Sequence, residues 1–589
     1  MREGDNEKIA KDIPQFLADN KIDSVSQLQN FLSQGDEDST PLQEQLVKFN
    51  SWIKEQIPST SEVPIPILKH STSHSSLDCH TGEDETKEIN SIEEVINVVR
   101  DAGTKGYKVR VGGAQHSVPG AVFGDAKEKV IRIRLDGELR KIQHLEAGLF
   151  EVGAGCNLGI NPDDPNSNEE NSFNQHVDKL GYALPIMGGI SQQTIGGFMS
   201  TSSAGGSLPF GFDQCIVNIT IVDGVGNVRK LTKDTDEFNA AAVSMGLYGV
   251  IVKVQLQCQE RFNVHGTEQM VIFQESTLKN GDAFINASKK DQYFRTLWIP
   301  KESVDEGRVI DYIANQNTNL SESIEPYEHP LASCAQNVGA AVAFTAANWF
   351  DQSKIEWLRP LNHFILDLIN PLQKEPIKFN DVWWKAIPVD DMASLSDKVQ
   401  FTEIYVDINQ SNEVIQCLSE MFSQDRSTIG SFAIEVYPAK KSPFWLSMSF
   451  GYDAIRINPF WLTYNKRGDM DEYFGNFWNA LLTKFPSARL HWGKHFPKLG
   501  ETFGSTDNED EISSRTIGGD YCEKSYPHFS RWLTLRQKFD PSNVFLTNYW
   551  AGLLNIKQDM EIDEQVREET NTREAGDSSA SSSSSSEED

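Results

Sequence analysis

The stretch Val109-Arg110-Val111-Gly112-Gly113-Ala114-Gln115-His116-Ser117-Val118-Pro119-Gly120 joins a β-branched run to a loop of small and polar residues. The pattern predicts a strand that enters a tight turn. Adjacent glycines let backbone amides approach a ligand closely, and Ser117 adds a hydroxyl, so the loop suits an anion such as a pyrophosphate. His116 lies at its tip. Taken alone, this window is equally typical of a surface turn with a solvated imidazole.

A second glycine-rich region spans residues 184–206. It carries six glycines and six hydroxyl side chains and has no charged residue. This composition is costly for a core and unsuited to a solvated linker. It suits a backbone that wraps a large ligand and donates amides and hydroxyls to its polar atoms.

The composition limits the architecture and the classes of partner. A chain of 589 residues is too long for one core and predicts about two to four domains. Its formal charge of −31 argues against nonspecific binding to nucleic acid or an anionic membrane, because both need a basic face. No run approaches the roughly 20 apolar residues of a bilayer span, and the first residues lack the apolar stretch of a secretory signal.

The cysteine pattern points to a reducing compartment. Seven cysteines are scattered along the chain without a Cys-x-x-Cys pair, so neither a zinc site nor a disulfide framework is predicted. We therefore expect no metal and an intracellular, cytoplasmic location, with an organelle left open. The sequence also contains no Walker, Rossmann, Gly-x-Ser-x-Gly or His-Glu-x-x-His motif, which removes the common routes to ATP, NAD, serine hydrolysis and metalloprotease chemistry.

Local patterns predict the order of elements. Ser91 and Glu94 form a capping box at the start of a helix, whose end Gly103 and Gly106 mark. From Val264 onward the sequence pattern changes to long elements rich in Trp and Phe, which predict a second domain of mixed α/β type. Elsewhere the patterns predict strands at 129–135, 149–155, 215–222 and 250–256, a helical stretch at 238–245, a surface loop at 163–174 and a helix at 528–537.

Five places resemble the FAD-linked oxidases of the vanillyl-alcohol-oxidase type, which share a PCMH-type FAD-binding domain, and within them the aldonolactone and alditol oxidases. They are Gly113-Ala-Gln-His116-Ser117, the region from Pro185 to Gly206, Gly249-Val-Ile251, Arg489-Leu-His491-Trp492-Gly493-Lys494, and Asp540-Pro541 with Asn548-Tyr549. Together they cover about residues 88–555. The His-Trp-Gly-Lys tetrapeptide is the most discriminating, because it points to the aldonolactone and alditol branch.

The resemblance implies FAD as the cofactor, bonded covalently through His116. Such a bond retains the flavin and raises its potential, and a nearby cation stabilises the reduced flavin. Lys494 is the implied cation. The implied catalytic residues are Lys494, Glu435, Ser191 and His491. The implied cofactor-binding residues are Gly112, Gly113, Ala114, Gln115, His116, Ser117, Gly188, Gly189, Ser191, Thr194, Gly196, Gly197, Thr201, Ser202, Ile251 and Lys494.

One place departs from the family pattern. The family carries a Glu-x-Arg strand that binds substrate hydroxyls, and Glu435-Val-Tyr437 stands here instead. Replacing arginine by tyrosine removes a fixed charge and a five-donor fork. The downstream segment also lacks the typical His and Thr, although Arg456 can return a cation from the neighbouring strand. Glu403, which matches another strand, is interpreted as structural.

The predicted fold class is α+β, with a two-subdomain PCMH-type FAD-binding domain and a mixed α/β substrate domain. The tail carries eleven acidic residues against two arginines and a serine run, and is predicted to be disordered. The predicted divisions are a helical N-terminal extension at 1–60, a linker at 61–87, the FAD-binding domain at 88–262, the substrate domain at 263–520, a C-terminal return at 521–557 and the tail at 558–589.

The resemblance implies oxidation of the CH–OH group of a sugar-derived aldonolactone or polyol. Hydride passes to flavin N5, and O2 or another acceptor reoxidises the flavin. Two alternatives stay open. One keeps the flavin but takes a phenolic, hydroxy acid or cytokinin-like alcohol. The other is a flavoprotein with reduced catalysis that serves as a binding or scaffold protein through its N-terminal helices and acidic tail.

Overall fold

The computed structural model describes residues 86–125, 128–301, 303–327, 372–387, 399–425, 428–430, 433–462, 469–504 and 514–557. The predicted N-terminal helices, the linker except for its last two residues, and the acidic tail lie outside these residues.

The first described helix begins as its capping box predicts. Helix α1 covers Ile92–Lys105, and the Ser91 side chain accepts from the Glu94 amide at 3.2 Å while Glu94 accepts from the Asn90 amide at 2.9 Å. Gly106 ends the helix with φ +67°, a left-handed conformation that favours glycine. The helix therefore runs through Gly103, which the sequence pattern marks as part of its end.

A small parallel sheet and a larger antiparallel sheet form the first half of the described chain. The parallel sheet has the strand order β1-β3-β2, and the antiparallel sheet has the order β4-β5-β9-β7-β8. A short antiparallel pair, β6 with β10, lies beside them. The strands are β1 Lys87–Ile89, β2 Lys108–Val111, β3 Val130–Leu135, β4 Ile142–Glu146, β5 Leu149–Gly153, β6 Tyr182–Ala183, β7 Ile216–Val222, β8 Val228–Thr232, β9 Val250–Gln257 and β10 Gln259–Glu260.

The second half is built on one nine-stranded sheet. Its strands follow the order β14-β11-β13-β12-β17-β18-β16-β19, and β15 pairs with β18 beside this path. A two-stranded ribbon, β20 with β21, follows. The strands are β11 Asn263–Ile272, β12 Tyr293–Ile299, β13 Arg308–Asn317, β14 Ile377–Val382, β15 Val399–Phe401, β16 Ile404–Asp407, β17 Ile434–Ala439, β18 Ala454–Leu462, β19 Arg489–Leu490, β20 Thr502–Phe503 and β21 Arg515–Thr516.

Helices cover the sheets through their apolar faces, and the cores of the two halves merge into one cluster of buried residues. This mixture of antiparallel sheets and separate helices confirms the predicted α+β class. The remaining helices are α2 Pro119–Phe123, α3 Phe173–Lys179, α4 Ile195–Ser200, α5 Phe212–Cys215, α6 Asp236–Ala241, α7 Gly281–Lys290, α8 Trp383–Ala386, α9 Ser411–Gln424, α10 Met470–Lys484, α11 Tyr521–Ser525, α12 Phe529–Phe539 and α13 Asn548–Leu553.

The glycine-rich region at 184–206 docks the first half onto the large sheet. The Phe294 amide donates to the Gly206 carbonyl at 2.9 Å, and Ser207 forms a parallel bridge with Ala439 of β17. A Cβ on Gly206 would lie 2.2 Å from the Phe294 carbonyl oxygen. Only glycine permits this approach, so the region is fixed against β12 and β17.

The end of the chain returns to the first half. The buried carboxylate of Asp540 accepts from the amides of Val544 and Phe545, at 2.7 and 2.9 Å, and pairs with Arg536 at 3.1 Å. The Val109 amide then donates to the Val544 carbonyl at 2.8 Å. A backbone hydrogen bond thereby ties the C-terminal segment to β2, the strand that leads into the loop at 112–117.

Two local predictions are wrong. The insert at 163–174 is not only a surface loop, because Asp164 is buried and helix α3 begins at Phe173. Strand β8 is missing from the sequence prediction, which had only a turn and a helical stretch at 238–245 between the strands at 215–222 and 250–256. In β8 only Leu231 is buried, so the alternation that normally indicates a strand is weak there.

Candidate active site

A long cleft runs between the two glycine-rich regions. Its cavity volume is about 200 Å³, and both the loop after β2 and the start of helix α4 line it. Two smaller pockets have cavity volumes of about 20 and 40 Å³. We call the long one the glycine cleft. The predicted residues that line it are Gly112, Gly113, Ala114, Gln115, His116, Ser117, Thr194, Gly196, Gly197, Thr201 and Ile251.

The two glycine-rich regions touch directly. A Cβ on Gly113 would lie 2.4 Å from the Thr194 hydroxyl oxygen, so the contact requires glycine. The Thr194 side chain accepts from the Gly197 amide and caps helix α4. Gln115 takes φ +60°, which strains a residue with a side chain and sets the direction of the chain before His116.

The His-Trp-Gly-Lys turn lies against the His116 loop. His491 Nδ1 accepts from the Gly493 amide at 3.0 Å, and the Gly493 carbonyl accepts from the Val118 amide at 2.9 Å. Lys494 Nζ then donates to the His116 carbonyl oxygen at 3.0 Å. His491 therefore shapes the turn that carries Lys494 to the loop.

Burial lowers the pKa of Lys494 to about 8; the Glu403 carboxylate opposes this shift and Arg456 adds to it. The ammonium lies 4.0 Å from the centre of the Phe401 ring. Burial also lowers the pKa of His491 to about 4, so its imidazole is neutral at physiological pH. The turn thus offers one ionisable cation and one neutral ring.

A second pocket lies where β12 and β17 meet the residues at both ends of the 184–206 region. We call it the tyrosine pocket. It is lined by Ile186, Gly188, Gly189, Gly205, Gly206, Tyr293, Phe294, Arg295, Tyr312, Ile387 and Tyr437. Two of the predicted cofactor-binding glycines, Gly188 and Gly189, therefore lie at this pocket.

Arg456 lies directly across from Tyr437 in the β17–β18 pair. Its guanidinium stacks 3.8 Å from the Tyr437 ring centre, donates to the Tyr437 hydroxyl and pairs with Glu403 at 3.1 Å. It also donates to the Ala204 carbonyl at 2.5 Å. A cation from β18 therefore contacts the tyrosine that stands where the family pattern has arginine.

Glu435 belongs to the same buried face. Its carboxylate accepts from Asn458 at 3.0 Å and lies 3.7 Å from Arg295. Burial raises the pKa of Glu435, and the Arg295 charge opposes that shift. For Glu403, burial acts to raise the pKa, but Arg456, His491 and the Tyr405 hydroxyl outweigh it and lower the pKa. The pKa values of the two buried carboxylates are thus shifted in opposite directions.

The two predicted serines lie in different surroundings. Ser191 is buried against Gly159, whose amide donates to the Ser191 carbonyl at 2.6 Å. Ser202 donates to the Ser447 hydroxyl at 2.8 Å and lines a third pocket behind the 184–206 region, together with Lys440 and Asp213. The roles of both serines stay predictions.

Comparison with known proteins identifies the family. Residues 254–553 match the model of the D-arabinono-1,4-lactone oxidase family, and residues 87–232 match a FAD binding domain. The chain belongs to the D-arabinono-1,4-lactone oxidase family. It is a FAD-dependent oxidoreductase, as the resemblance of its motifs implies.

Curated relatives carry related names. The chain is 22% identical to L-gulonolactone oxidase of Scyliorhinus torazame, over 78% of this chain and 93% of that protein. It is 22% identical to L-gulono-1,4-lactone dehydrogenase of Mycobacterium tuberculosis, over 78% and 94%. It is also 28% identical to D-arabinono-1,4-lactone oxidase of Saccharomyces cerevisiae, over 36% and 38%.

Solved structures share the fold. Cholesterol oxidase from B. sterolicum superposes with a TM-score of 0.59 at 14% identity, covering 79% of this chain and 93% of that one. At this identity the likeness establishes the fold alone.

The glycine cleft fits the FAD that this family binds. Arg110, Arg134 and Arg140 line it together with Asp163 and Asp164, so cationic side chains outnumber the anionic ones, as a diphosphate requires. The buried Nε atoms of Arg110 and Arg140 have no hydrogen-bond partner among the described residues. These donors, with the glycine loops that admit close approach of the backbone, match an elongated dinucleotide.

Sequence reasoning missed several residues of the cleft. Arg110 donates to the carbonyls of Ala121 and Met245, at 2.7 and 2.8 Å, and so ties the cleft wall together. The sequence feature that could have identified Arg110 is an arginine inside a β-branched run. The buried pair of Arg140 with Asp164, at 2.6 Å, had no local signal, because the carboxylate comes from the acidic insert.

Within the described residues, no helix is both long and apolar enough to cross a bilayer. In the same part of the chain no His, Cys, Asp and Glu side chains are grouped as metal ligands. The five cysteines described there are free thiols.

Proposed function

We propose that this enzyme oxidises the CH–OH group of a neutral sugar-derived aldonolactone or polyol, with FAD held in the glycine cleft and bonded covalently to His116. The observation that carries the proposal is the contact of Lys494 with the His116 loop, 3.0 Å from Nζ to the carbonyl oxygen. That contact brings the most discriminating motif of the family to the tip of the predicted flavin loop. The names of the relatives, two lactone oxidases and a lactone dehydrogenase, support the substrate class.

Different residues of the glycine cleft are proposed to hold different parts of the cofactor. Arg110 and Arg140 would hold the diphosphate, and the loop at 112–117 and helix α4 would supply close backbone donors. When bound, FAD supplies the two-electron acceptor for the CH–OH carbon. Lys494 holds a positive charge beside the loop, where it stabilises negative charge that develops during the reaction.

The substrate meets the buried face of the large sheet. Glu435, held by Asn458 and Arg295, accepts hydrogen bonds from substrate hydroxyls, as the Glu-x-Arg comparison implies. Tyr437 and Arg295 line the adjacent tyrosine pocket. A surface of this kind, with polar groups fixed on rigid strands, orients a hydroxyl-rich molecule and excludes bulk water. The cytoplasmic location stays a prediction.

The test is an activity panel. Purified protein is incubated with D-arabinono-1,4-lactone, L-gulono-1,4-lactone and a series of alditols, and both hydrogen peroxide and reduction of an artificial dye acceptor are measured. We expect turnover of at least one lactone or alditol in the dye assay, and peroxide if O2 is the acceptor. Turnover confined to phenolic alcohols or hydroxy acids would move the enzyme to another branch. No turnover with bound FAD would favour a binding protein.

A substitution tests the assigned carboxylate. Glu435→Gln keeps the volume but removes the charge, and we expect kcat/KM to fall by about 10²-fold or more on the best substrate. Glu413→Gln, on the first turn of helix α9, is the matched control and is expected to keep wild-type kinetics. Unchanged turnover in Glu435→Gln would remove Glu435 from the proposed mechanism.

A further inference from the structure

The hydroxyl of Tyr437 is held by two donors. Arg456 Nη2 donates to it, and Asn458 Nδ2 donates to it at 3.4 Å. The orientation of the Asn458 amide is fixed independently, because the same Nδ2 also donates to the Glu435 carboxylate at 3.0 Å. Both groups that face the phenolic oxygen are therefore donors, and the oxygen accepts from each.

A phenol that accepts twice still has one proton to donate. Among the described residues, the Tyr437 hydroxyl only accepts hydrogen bonds, from Arg456 and Asn458, and donates none. Tyr437 lines the tyrosine pocket, so the pocket is the remaining source of an acceptor. The hydroxyl also stays protonated, because burial raises the pKa of Tyr437 well above its ordinary value.

Arg456 is engaged at both terminal nitrogens, while its buried Nε has no hydrogen-bond partner among the described residues. Its Nη1 donates to the Ala204 carbonyl, and its Nη2 serves both Glu403 and Tyr437. A bidentate carboxylate contact needs two adjacent N–H groups that are free to point at the ligand. Arg456 therefore polarises the Tyr437 hydroxyl. It has no two adjacent N–H groups free for a bidentate contact with a substrate carboxylate.

We infer that Tyr437 donates a hydrogen bond to an uncharged oxygen of the substrate, a hydroxyl or a lactone carbonyl, and that Arg456 is the positioning residue that orients and polarises this donor. The inference rests on the proposed function and deepens it. The cation of the family pattern has moved from β17 to the facing position on β18, and a neutral donor has taken the place in contact with the substrate. The site is thereby matched to neutral lactones and polyols rather than to open-chain sugar acids.

The test compares a substrate with its deoxy analogues in two variants. For the best lactone or alditol of the activity panel, kcat and KM are measured for the parent compound and for its singly deoxygenated derivatives. In the wild type we expect one position at which loss of the oxygen lowers kcat/KM by about five- to tenfold, the range of one neutral hydrogen bond. In Tyr437→Phe we expect that difference to disappear, chiefly through KM.

Tyr405→Phe is the matched control. Tyr405 is also buried, and its ring centre lies 5.3 Å from the guanidinium carbon of the same Arg456. Its hydroxyl donates a hydrogen bond to Glu403 at 2.6 Å. Loss of this hydroxyl perturbs the same cluster without removing a donor that faces the pocket. We expect the wild-type discrimination between parent and deoxy compounds to persist in Tyr405→Phe.

The outcomes separate the inference from the function on which it rests. A wild-type enzyme that oxidises no lactone or alditol overturns both. An active wild type whose discrimination is the same in Tyr437→Phe overturns the inference alone, and so does an open-chain aldonate that is oxidised as well as its lactone. Should Tyr437→Phe fail to fold, Arg456→Lys supplies the test, because it keeps the charge but removes the planar stack, and the discrimination is expected to shrink.

Discussion

Lys494 Nζ donates a hydrogen bond to the His116 carbonyl oxygen at 3.0 Å and joins two motifs that lie 378 residues apart in the chain. The contact does not stand alone, because the Val118 amide donates to the Gly493 carbonyl at 2.9 Å. The cation is consequently fixed to the loop by backbone as well as by side chain. Its place beside the predicted flavin loop is a property of the fold, which a flexible surface lysine would lack.

Removing the Lys494 charge should slow flavin reduction. In Lys494→Met we expect the rate of the reductive half-reaction to fall by about 10²- to 10³-fold, as for loss of one preorganised electrostatic group. Stopped-flow absorbance of the flavin measures this rate. Lys538→Met, near the end of helix α12, is a control at a lysine remote from the site and is expected to keep the wild-type rate. A wild-type rate in Lys494→Met would exclude the assigned role.

The same group predicts a pH profile. Because the pKa of Lys494 is lowered to about 8, the side chain is cationic below that pH and loses its charge as pH rises through it. We expect kcat/KM to decline on the alkaline side near pH 8. Lys494→Arg keeps its charge throughout the range, so its profile should lack that decline even where its absolute rate is lower. An identical alkaline limb in both proteins would assign the titration to another group.

His116 is predicted to hold the flavin covalently. Denaturing gel electrophoresis should show yellow fluorescence on the wild-type band and none on His116→Ala, because only a covalently bonded flavin stays on the chain after unfolding. Gln115→Gly is the matched control: it changes the neighbouring residue and relieves φ +60°, and the tether is expected to remain. Absence of fluorescence on the wild-type band would refute the covalent bond while leaving noncovalent FAD binding intact.

The sequence predicted the local parts of the site best. The Ser91 cap and the glycine loop after β2 depend on neighbouring residues, and each lies where its pattern indicates. The glycine loop was expected to admit a ligand, whereas the close approach of Gly113 to Thr194 and of Gly493 to Ser117 was not predicted. Local rules suffice where the interaction itself is local.

The contacts across strands could not be derived in the same way. Arg456 faces Tyr437 only because β17 and β18 pair in one register, and register depends on the packing of the whole sheet. The sequence indicated that Arg456 could restore a cation, yet not that Glu403 would pair with it. The interpretation of Glu403 as structural stays a prediction, and it included neither the ion pair with Arg456 nor the influence on the pKa of Lys494.

Breaking the Glu403–Arg456 pair should destabilise the protein. Both side chains are at most 5% exposed, so Glu403→Gln leaves a buried guanidinium without its counterion, and we expect the free energy of unfolding to fall by about 3–5 kcal/mol. Denaturant unfolding at pH 7 measures the change. Glu138→Gln breaks an exposed pair with Lys141, 68% and 72% exposed, and is expected to change it by less than about 0.5 kcal/mol.

The pair also predicts how stability depends on pH. The pKa of Glu403 is lower in the folded protein than its ordinary value of 4.5, so the stabilisation is fully present above that value and is lost as pH falls through the folded pKa. Wild-type stability should therefore fall on acidification with a contribution that Glu403→Gln lacks. Parallel curves for the two proteins below pH 5 would contradict the pairing.

We expect Gly493 to be required for the rate of flavin reduction rather than for folding. A Cβ there would lie 2.6 Å from the Ser117 hydroxyl oxygen and 3.3 Å from His491 Cε1, so Gly493→Ala must displace the turn that carries Lys494. We expect flavin reduction to slow by about 10- to 100-fold, since a shift near 1 Å in a positioned group has that effect.

Gly475→Ala provides the contrast that makes this result specific. Gly475 lies within helix α10, and a Cβ there meets nothing within 4 Å. Alanine is a better helix former, so the free energy of unfolding should rise by about 0.5–1 kcal/mol with kinetics unchanged. If Gly493→Ala instead retains the wild-type rate of flavin reduction, the turn tolerates displacement and Lys494 does not depend on the His116 loop for its position. The two variants together therefore separate a glycine needed for close approach from one that only weakens a helix.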